Sequence, residues 1–179
     1  VIDDLEMILR HSSCTGMFFS TPCGTWTALR YLRPGPPVLR RQASAANQWK
    51  DEVLGILRPD GTLPESVQRA NTIAVNIARL GDVAAALDKD VAFESPVSRA
   101  TGSQFAIVGR EDHAEMFTHP ALEELERTRN FQRLYFDQCA FGGDYEKTTQ
   151  IIANSRLYRK LVRPRFINRN CPGGHVHRT

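Results

Sequence analysis

Short apolar runs and one long apolar stripe organise the first half of the chain. The runs at residues 17–19 (Met-Phe-Phe) and 91–93 (Val-Ala-Phe) are typical of buried strands. Between them, apolar side chains recur at helical spacing and predict a helix over residues 67–87, with Ser66 as its N-cap. A strand, a helix and a second strand in this order indicate a βαβ crossover, in which the two strands run parallel.

The rest of the apolar pattern predicts two more helices and a β-hairpin. Residues 3–10 are typical of the end of an amphipathic helix, and a proline opens a second helix over residues 121–129. Residues 132–141 and 147–154 are rich in strand-forming side chains and flank a Gly-Gly-Asp turn. Because two such runs joined by a glycine turn pair with each other, they predict a hairpin.

These elements predict one α/β domain over residues 1–155, followed by a basic, irregular tail over residues 156–179. The tail opens with residues 156–169, which hold six Lys or Arg side chains and no acid. Such a run is suited to neutralising phosphates, and its alternative is a solvated basic surface.

Each of the two predicted parallel strands ends at a proline turn that carries one reactive side chain. Pro22-Cys23 follows the first strand, and Glu94 precedes Pro96 after the second. Proline ends a strand because it has no amide to donate and fixes its own φ. Ligands bind at the carboxyl ends of parallel strands. We therefore expect the thiol and the carboxyl to face one cleft. The alternatives are a packed, inert cysteine and a turn-capping carboxylate.

A proline- and arginine-rich stretch, residues 31–47, follows the cysteine turn. It is too long for a plain connection, which predicts either a functional or a mobile loop. Nearby Trp26 either stacks on a base or fills the core. The arginines in and beside the stretch either reach a phosphate backbone or keep a loop soluble; they are Arg30, Arg33, Arg40 and Arg41.

The composition narrows the class of protein. The chain has 179 residues, 41% hydrophobic and 24% charged, which is typical of a globular domain that dissolves in water. No run approaches the ~18 apolar residues of a membrane span, and no secretory signal opens the chain. The net charge of +3 is too small to indicate an anionic partner by itself. The first residue is Val1 rather than Met, which predicts a processed or trimmed chain.

Four widely spaced cysteines include no CxxC pair, which predicts free thiols. We therefore expect an intracellular, reducing compartment, without a distinction between nucleus and organelle. The alternative is that the C-terminal cysteine belongs to a zinc site together with nearby histidines. The spacing of these residues is not that of a standard zinc site, so we assign no metal. The residues of this alternative site are Cys139, Cys171, His175 and His177.

Three short motifs follow one another along the chain: Thr21-Pro22-Cys23, then Phe93-Glu94-Ser95-Pro96, then Phe141-Gly142 with Lys147-Thr148-Thr149. In this order they resemble the motifs of the cytosine-C5 DNA methyltransferase family. The likeness is stronger to divergent methyltransferase-like domains of phage and retroelement proteins, and it extends over residues 3–177. It implies a Rossmann-like, methyltransferase-type sheet.

The resemblance implies a role for each motif. Cys23 is the nucleophile that adds to C6 of a flipped-out cytosine, and Glu94 holds the ring at N3 and its exocyclic amine. Lys147 contacts the base or a phosphate. The cofactor is S-adenosylmethionine and the partner is DNA. Three more residues are assigned to the same substrate site; they are Pro22, Ser95 and Arg30.

The chain also departs from the family pattern. Only Gly16 precedes Cys23, so the glycine-rich loop that holds S-adenosylmethionine is not in this sequence. The chain is therefore expected to be a partial or truncated version that needs an N-terminal half from the same or another chain. Glu94 is followed by Ser95 where the family has Asn, and the hairpin has one lysine where the larger family has two arginines.

Two other classes of function stay open. The first is a non-catalytic descendant of the fold that serves as a structural or nucleic-acid-binding subunit of a larger assembly. The second is a nucleic-acid-binding module built on the basic tail and on the loop at residues 33–41.

Overall fold

The described residues form four helices and four strands. A computed structural model describes residues 2–22, 24–31, 34–141 and 148–162. The helices and strands are α1 (Ile2–Arg10), β1 (Gly16–Ser20), α2 (Glu65–Ala86), β2 (Asp90–Pro96), α3 (Pro120–Arg129), β3 (Gln132–Asp137), β4 (Thr148–Ala153) and α4 (Ser155–Leu161). Short 3-10 turns lie at Ala28–Tyr31, Ala45–Asn47, Met116–Thr118 and Gln138–Phe141.

The chain forms two compact units, each built from separate stretches of sequence. Unit 1 contains Val1–Thr21, Asn76–Pro96 and Glu124–Thr179, and unit 2 contains Pro22–Val75 and Val97–Glu123. All four strands lie in unit 1, whereas unit 2 consists mostly of turns and loops.

The strands of unit 1 form one mixed sheet in the order β1-β2-β4-β3. β1 and β2 are parallel, with Ser20 opposite Glu94. β4 is antiparallel to both β2 and β3. The structure thereby confirms the βαβ crossover, the hairpin and the mixed α/β class of the chain.

Aromatic rings pack one face of the sheet against α2. Phe93 of β2 stacks on Phe19 of β1 with ring centroids 5.0 Å apart, and Phe131 lies 5.7 Å from Phe93. Gly81 of α2 sits over the same ring, where a Cβ would lie 2.5 Å from Phe93 Cζ. The helix therefore needs a glycine at this position to approach the sheet.

Two predicted boundaries are wrong. The helix α2 begins at Glu65, so Ser66 lies inside it. The carbonyl of Pro64 already accepts hydrogen bonds from Val67 and Gln68, which makes Pro64 the last residue before the helix. Strand β3 ends at Asp137 rather than at residue 141, because Gln138–Phe141 form a 3-10 turn. The predicted tail begins within α4, whose first turn is capped by the side chain of Asn154.

The prediction that the second strand ends before Glu94, at a proline turn, is also wrong. Strand β2 continues through Glu94 and Ser95 to Pro96, because β4 pairs with it as far as the Pro96–Thr149 position. The pairing with β1 ends at Glu94. The proline, which has no N–H, therefore lies beyond β1 and interrupts no bond of the parallel ladder.

Candidate functional site

Glu94 lies at the point where β1 ends. Its carboxylate Oε2 accepts a hydrogen bond of 2.8 Å from the hydroxyl of Ser20, which stands directly opposite in the parallel register. Ile151 flanks Glu94 on the other side, from β4. The half-buried carboxyl thus sits on the sheet face that Ser20 and Ile151 share, at the carboxyl end of the parallel pair.

Ser95 points to the opposite face. Successive side chains of a strand alternate, so Ser95 shares the face of Phe93 rather than that of Glu94. Its side chain is buried, with 2% of the residue exposed. Its hydroxyl oxygen finds no hydrogen-bond partner in the described part of the chain. In this structure Ser95 is therefore closed to a substrate that approaches Glu94.

Two of the predicted site residues, Cys23 and Lys147, lie outside the described residues, and so do Cys171, His175 and His177 of the zinc alternative. The roles assigned to Cys23 and Lys147 stay predictions. Pro22 is exposed at the start of unit 2. No group of three or more His, Cys, Asp or Glu side chains suited to a metal ion occurs among the described residues.

Arg30 connects two backbone segments of unit 2. Its Nε donates to the carbonyl oxygen of Gly24, and its Nη1 donates to that of Pro37 at 3.0 Å. The guanidinium thereby fastens the chain just after the cysteine to the proline-rich loop. A substrate contact by Arg30 would use its remaining N–H groups.

The environment of Arg40 contradicts both predicted roles, contact with a phosphate backbone and solubility of a loop. Arg40 neither reaches solvent nor solubilises a loop, because only 2% of the residue is exposed. Its Nη1 donates to the carbonyl of Val53 and to Asn71 Oδ1, each at 2.7 Å, and its Nη2 donates to the carbonyl of Val67 at 3.2 Å. Its Nε donates to Thr25 Oγ1 at 3.2 Å. Arg40 is the polar centre around which unit 2 folds.

Trp26 is buried beside that centre, so of its two interpretations the structure favours the core. The guanidinium carbon of Arg40 lies 3.5 Å from the centroid of the Trp26 ring, in cation–π contact. Burial lowers the pKa of Arg40 to about 10, so the side chain stays charged at neutral pH. His119 meets the indole edge-on, with ring centroids 6.1 Å apart.

His113 is a residue to which the sequence gave no role. Its Nδ1 accepts a hydrogen bond of 3.0 Å from the amide of Arg99, so its Nε2 carries the proton and donates to the carbonyl of Trp26 at 2.8 Å. The neutral ring therefore joins the loop after β1 to the loop after β2. Burial is the main cause that lowers the pKa of His113. No spacing in the sequence indicates this link.

Tyr31 and Asp112 form the polar wall beside this histidine. The ring of Tyr31 meets that of His113 edge-on at 5.7 Å, and its one hydroxyl proton is shared between the carbonyl oxygens of Arg40 and Asp112, both 3.1 Å from the hydroxyl oxygen. Burial, followed by the charge of Asp112, raises the pKa of Tyr31. The phenol is therefore a fixed hydrogen-bond donor at neutral pH.

A cleft of about 510 Å³ opens beside this wall in unit 2. Two guanidinium groups, those of Arg30 and Arg41, line it together with Tyr31 and the prolines of the long loop. Glu111 and Asp112 line it as well. Asp112 pairs with Arg41 Nε at 3.2 Å, and Glu111 accepts from the amide of Gly109 at 2.8 Å. The lining thus combines fixed acids with arginine N–H groups.

Part of the predicted basic run is neutralised within unit 1. Arg156 pairs with Asp88 at 2.9 Å and with Asp90 at 3.0 Å, and Lys160 pairs with Asp90 at 2.5 Å. Arg156 and Lys160 thus form ion pairs with acids at the start of β2 and in the turn before it. Their charge is therefore only partly available to a phosphate backbone.

No protein-family model, curated protein or solved structure matches this chain. None of the described helices is long and apolar enough to cross a membrane. The class defined by the fold is therefore mixed α/β, with a four-stranded mixed sheet.

Proposed function

We propose that the chain is a cytosine-C5 DNA methyltransferase-like domain, with Cys23 as the nucleophile and Glu94 as the base-binding acid. The observation that carries the proposal is the pairing of Ser20 with Glu94 at the end of the parallel strands. Only two residues separate Ser20 from Cys23, and three residue steps span at most about 11 Å. The length of this segment therefore allows a thiol that follows β1 to approach the carboxyl on β2, as the proposal requires.

The topology supports the finer fold assignment. A parallel β1–α2–β2 crossover that continues into an antiparallel hairpin is compatible with a Rossmann-like, methyltransferase-type sheet. In the proposal this sheet is the second half of a larger one, and the N-terminal half comes from the same or another chain. β1 is the edge strand that such a half would extend within the described sheet.

The proposed chemistry uses the thiol and the carboxyl in one step. The thiolate of Cys23 forms a bond to C6 of a cytosine that has left the base stack, and the electron pair of the C5–C6 double bond moves into the ring. Glu94 acts as the acid at N3, where the negative charge develops. The addition makes C5 nucleophilic. A reduced thiol is required, so we propose a reducing, intracellular compartment.

The described residues do not fit S-adenosylmethionine. Gly16 is the one glycine before Cys23, and it packs against β2 so closely that a Cβ would lie 2.2 Å from the carbonyl oxygen of Asp90. It therefore offers no open cradle for a ligand. In the proposal, the methyl donor binds to the N-terminal half of the fold.

Covalent trapping tests the proposal. The full-length gene product is incubated with duplex DNA that carries 5-azacytosine, and a denaturation-resistant adduct is measured by gel shift. We expect an adduct that Cys23→Ser abolishes and that Glu94→Gln slows at least about 100-fold, the usual minimum for a lost acid catalyst. Cys14→Ser is the matched control and should keep full yield, because Cys14 lies before β1 and donates weakly to the carbonyl of Gly16. An adduct that survives Cys23→Ser, or no adduct at all, would overturn the proposal.

A second candidate is the non-catalytic subunit of a larger assembly. It is favoured by apolar side chains that unit 1 leaves in solvent, namely Met7, Ile8 and Phe18. Of these three, Phe18 lies on β1 and is 60% exposed. Neighbouring subunits that cover such side chains would make this candidate the better one. A monodisperse monomer of the full-length product in sedimentation would contradict it.

A further inference from the structure

A rigid loop in unit 2 holds a tryptophan in solvent. Trp49 is 71% exposed. Both Trp49 and the preceding Gln48 have left-handed backbone conformations, with φ of 62° and 59°. Two successive residues of this kind, neither of them glycine, are strained and need strong support from their surroundings.

Asn47 supplies that support. Its Oδ1 accepts from the amide of Ser44 at 3.0 Å, and its Nδ2 donates to the carbonyls of Gln42 and Lys50 at 2.9 and 2.8 Å. The amide of Trp49 donates to the carbonyl of Ser44 at 2.7 Å. The loop is therefore fixed with the indole outside before any partner binds, which lowers the entropic cost of binding.

The same loop forms part of the arginine-lined cleft. Ala46, three residues before Trp49, lies on the wall of the cleft with Arg30 and Arg41. Asp112 forms an ion pair with Arg41, with its Oδ2 3.2 Å from Nε but without hydrogen-bond geometry. The terminal amino groups of Arg41 make no hydrogen bond to the described residues, and its side chain is half-exposed. A planar guanidinium held in this way is suited to a phosphate.

We propose that the Trp49 loop and the adjoining cleft bind an unpaired stretch of nucleic acid, with the indole stacked on a base and Arg41 on a phosphate. The inference rests on the proposed function, which leaves a substrate strand with unpaired bases. A nucleic acid is favoured over a protein surface because the neighbours of Trp49 in sequence, Gln48 and Lys50, are polar and exposed. Aromatic platforms beside cationic side chains are the usual elements of single-strand binding.

Binding of a labelled single-stranded oligonucleotide to the full-length product tests this inference. We expect Trp49→Ala to weaken binding at least about fivefold, the lower limit for one stacked base, and Trp49→Phe to retain most of the affinity. Arg41→Gln should weaken binding and reduce the slope of log K against log salt by about one. Arg69→Gln is the matched control, because Arg69 is an exposed arginine of unit 2 that pairs only with Glu65 on α2.

Intrinsic fluorescence provides a second measurement. Trp49 is exposed and Trp26 is buried, so the part of the quenching by the oligonucleotide that Trp49→Phe removes reports on Trp49. Unchanged affinity in Trp49→Ala, or no quenching on addition of the oligonucleotide, would overturn the inference. If trapping by Cys23 persists in that case, only the inference fails. Quenching without any adduct supports the inference and removes the proposed chemistry.

Discussion

Arg40 and Arg41 are neighbours in sequence with opposite environments. Arg41 forms isolated bridges with Glu52 and His113, so the chain is extended there and successive side chains point to opposite sides. Arg40 consequently enters the interior of unit 2, while Arg41 faces the cleft. From the sequence, both arginines had the same predicted roles. The difference between them depends on bridge partners at distant positions, which no local pattern indicates.

Replacement of Arg40 should destabilise unit 2 strongly. Arg40→Met leaves the buried carbonyl of Val53 without its charged donor and removes the Arg40 hydrogen bonds to the buried carbonyl of Val67 and to the half-buried side chain of Asn71. Each such group costs about 1–3 kcal/mol, so we expect a loss of at least about 3 kcal/mol in the free energy of unfolding. Urea denaturation measures it. Arg69→Met, at an exposed i,i+4 pair, should cost less than about 0.5 kcal/mol. Similar losses for the two variants would contradict the assignment.

The buried histidines predict a loss of stability in acid. His113 and His119 both have lowered pKa values in the folded chain, that of His119 at about 4, because burial disfavours the charged ring. The unfolded chain therefore binds more protons below the ordinary histidine pKa of about 6.5. Stability should be full above that pH and should fall as the pH is lowered from about 6.5 towards 4.

Urea midpoints at pH 7, 6, 5 and 4.5 measure this dependence. His119→Asn should flatten it, because Asn can still accept from the amide of Ala121, as His119 Nδ1 does at 3.2 Å. His11→Asn is the control: His11 is exposed, and among the described residues its ring bonds only to Ser13. An equal effect of the two substitutions would show that the buried ring is not the cause.

Elements whose position depends on their own hydrophobic pattern were predicted correctly, whereas the end of a strand that depends on pairing with a distant segment was not. The stripe along α2 and the apolar runs of β1 and β2 fixed the βαβ crossover, because each pattern lies within one element. The end of β2 was missed because β4 extends it to Pro96 from about fifty residues away. The site inherited this error, so Glu94 lies inside a strand and Ser95 turns away from it.

Substitution of Gly81 tests the packing between α2 and the sheet. In Gly81→Ala the new methyl group would lie 2.5 Å from Phe93 Cζ and 3.0 Å from Leu125 Cδ2. Overpacking of this kind costs about 1–3 kcal/mol, against a gain of about 1 kcal/mol from helix propensity. We expect net destabilisation in urea unfolding. Gly24→Ala should be close to neutral, since nothing lies within 4 Å of its added Cβ. A stabilised Gly81→Ala variant would contradict the packing.

At the scale of the whole molecule, sequence reasoning reached the α/β class but not the division into two units. Unit 2 has no strands of the main sheet, and its interior combines a polar network around Arg40 with buried apolar side chains such as Trp26 and Phe117. Hydrophobic periodicity cannot indicate the polar part of this core, because its members are Arg, His, Tyr and Asn. The predicted boundary at residue 155 stays a prediction.

The parallel pairing of β1 with β2 has a consequence for synthesis. Ser20 and Glu94 are 74 residues apart, so β1 leaves the ribosome long before its partner exists. At about 5–20 residues per second the interval is on the order of 4–15 s. Throughout that time the nascent chain exposes Phe18 and Phe19 side by side on an unpaired strand. A holdase chaperone that recognises short aromatic segments would have its natural binding window here.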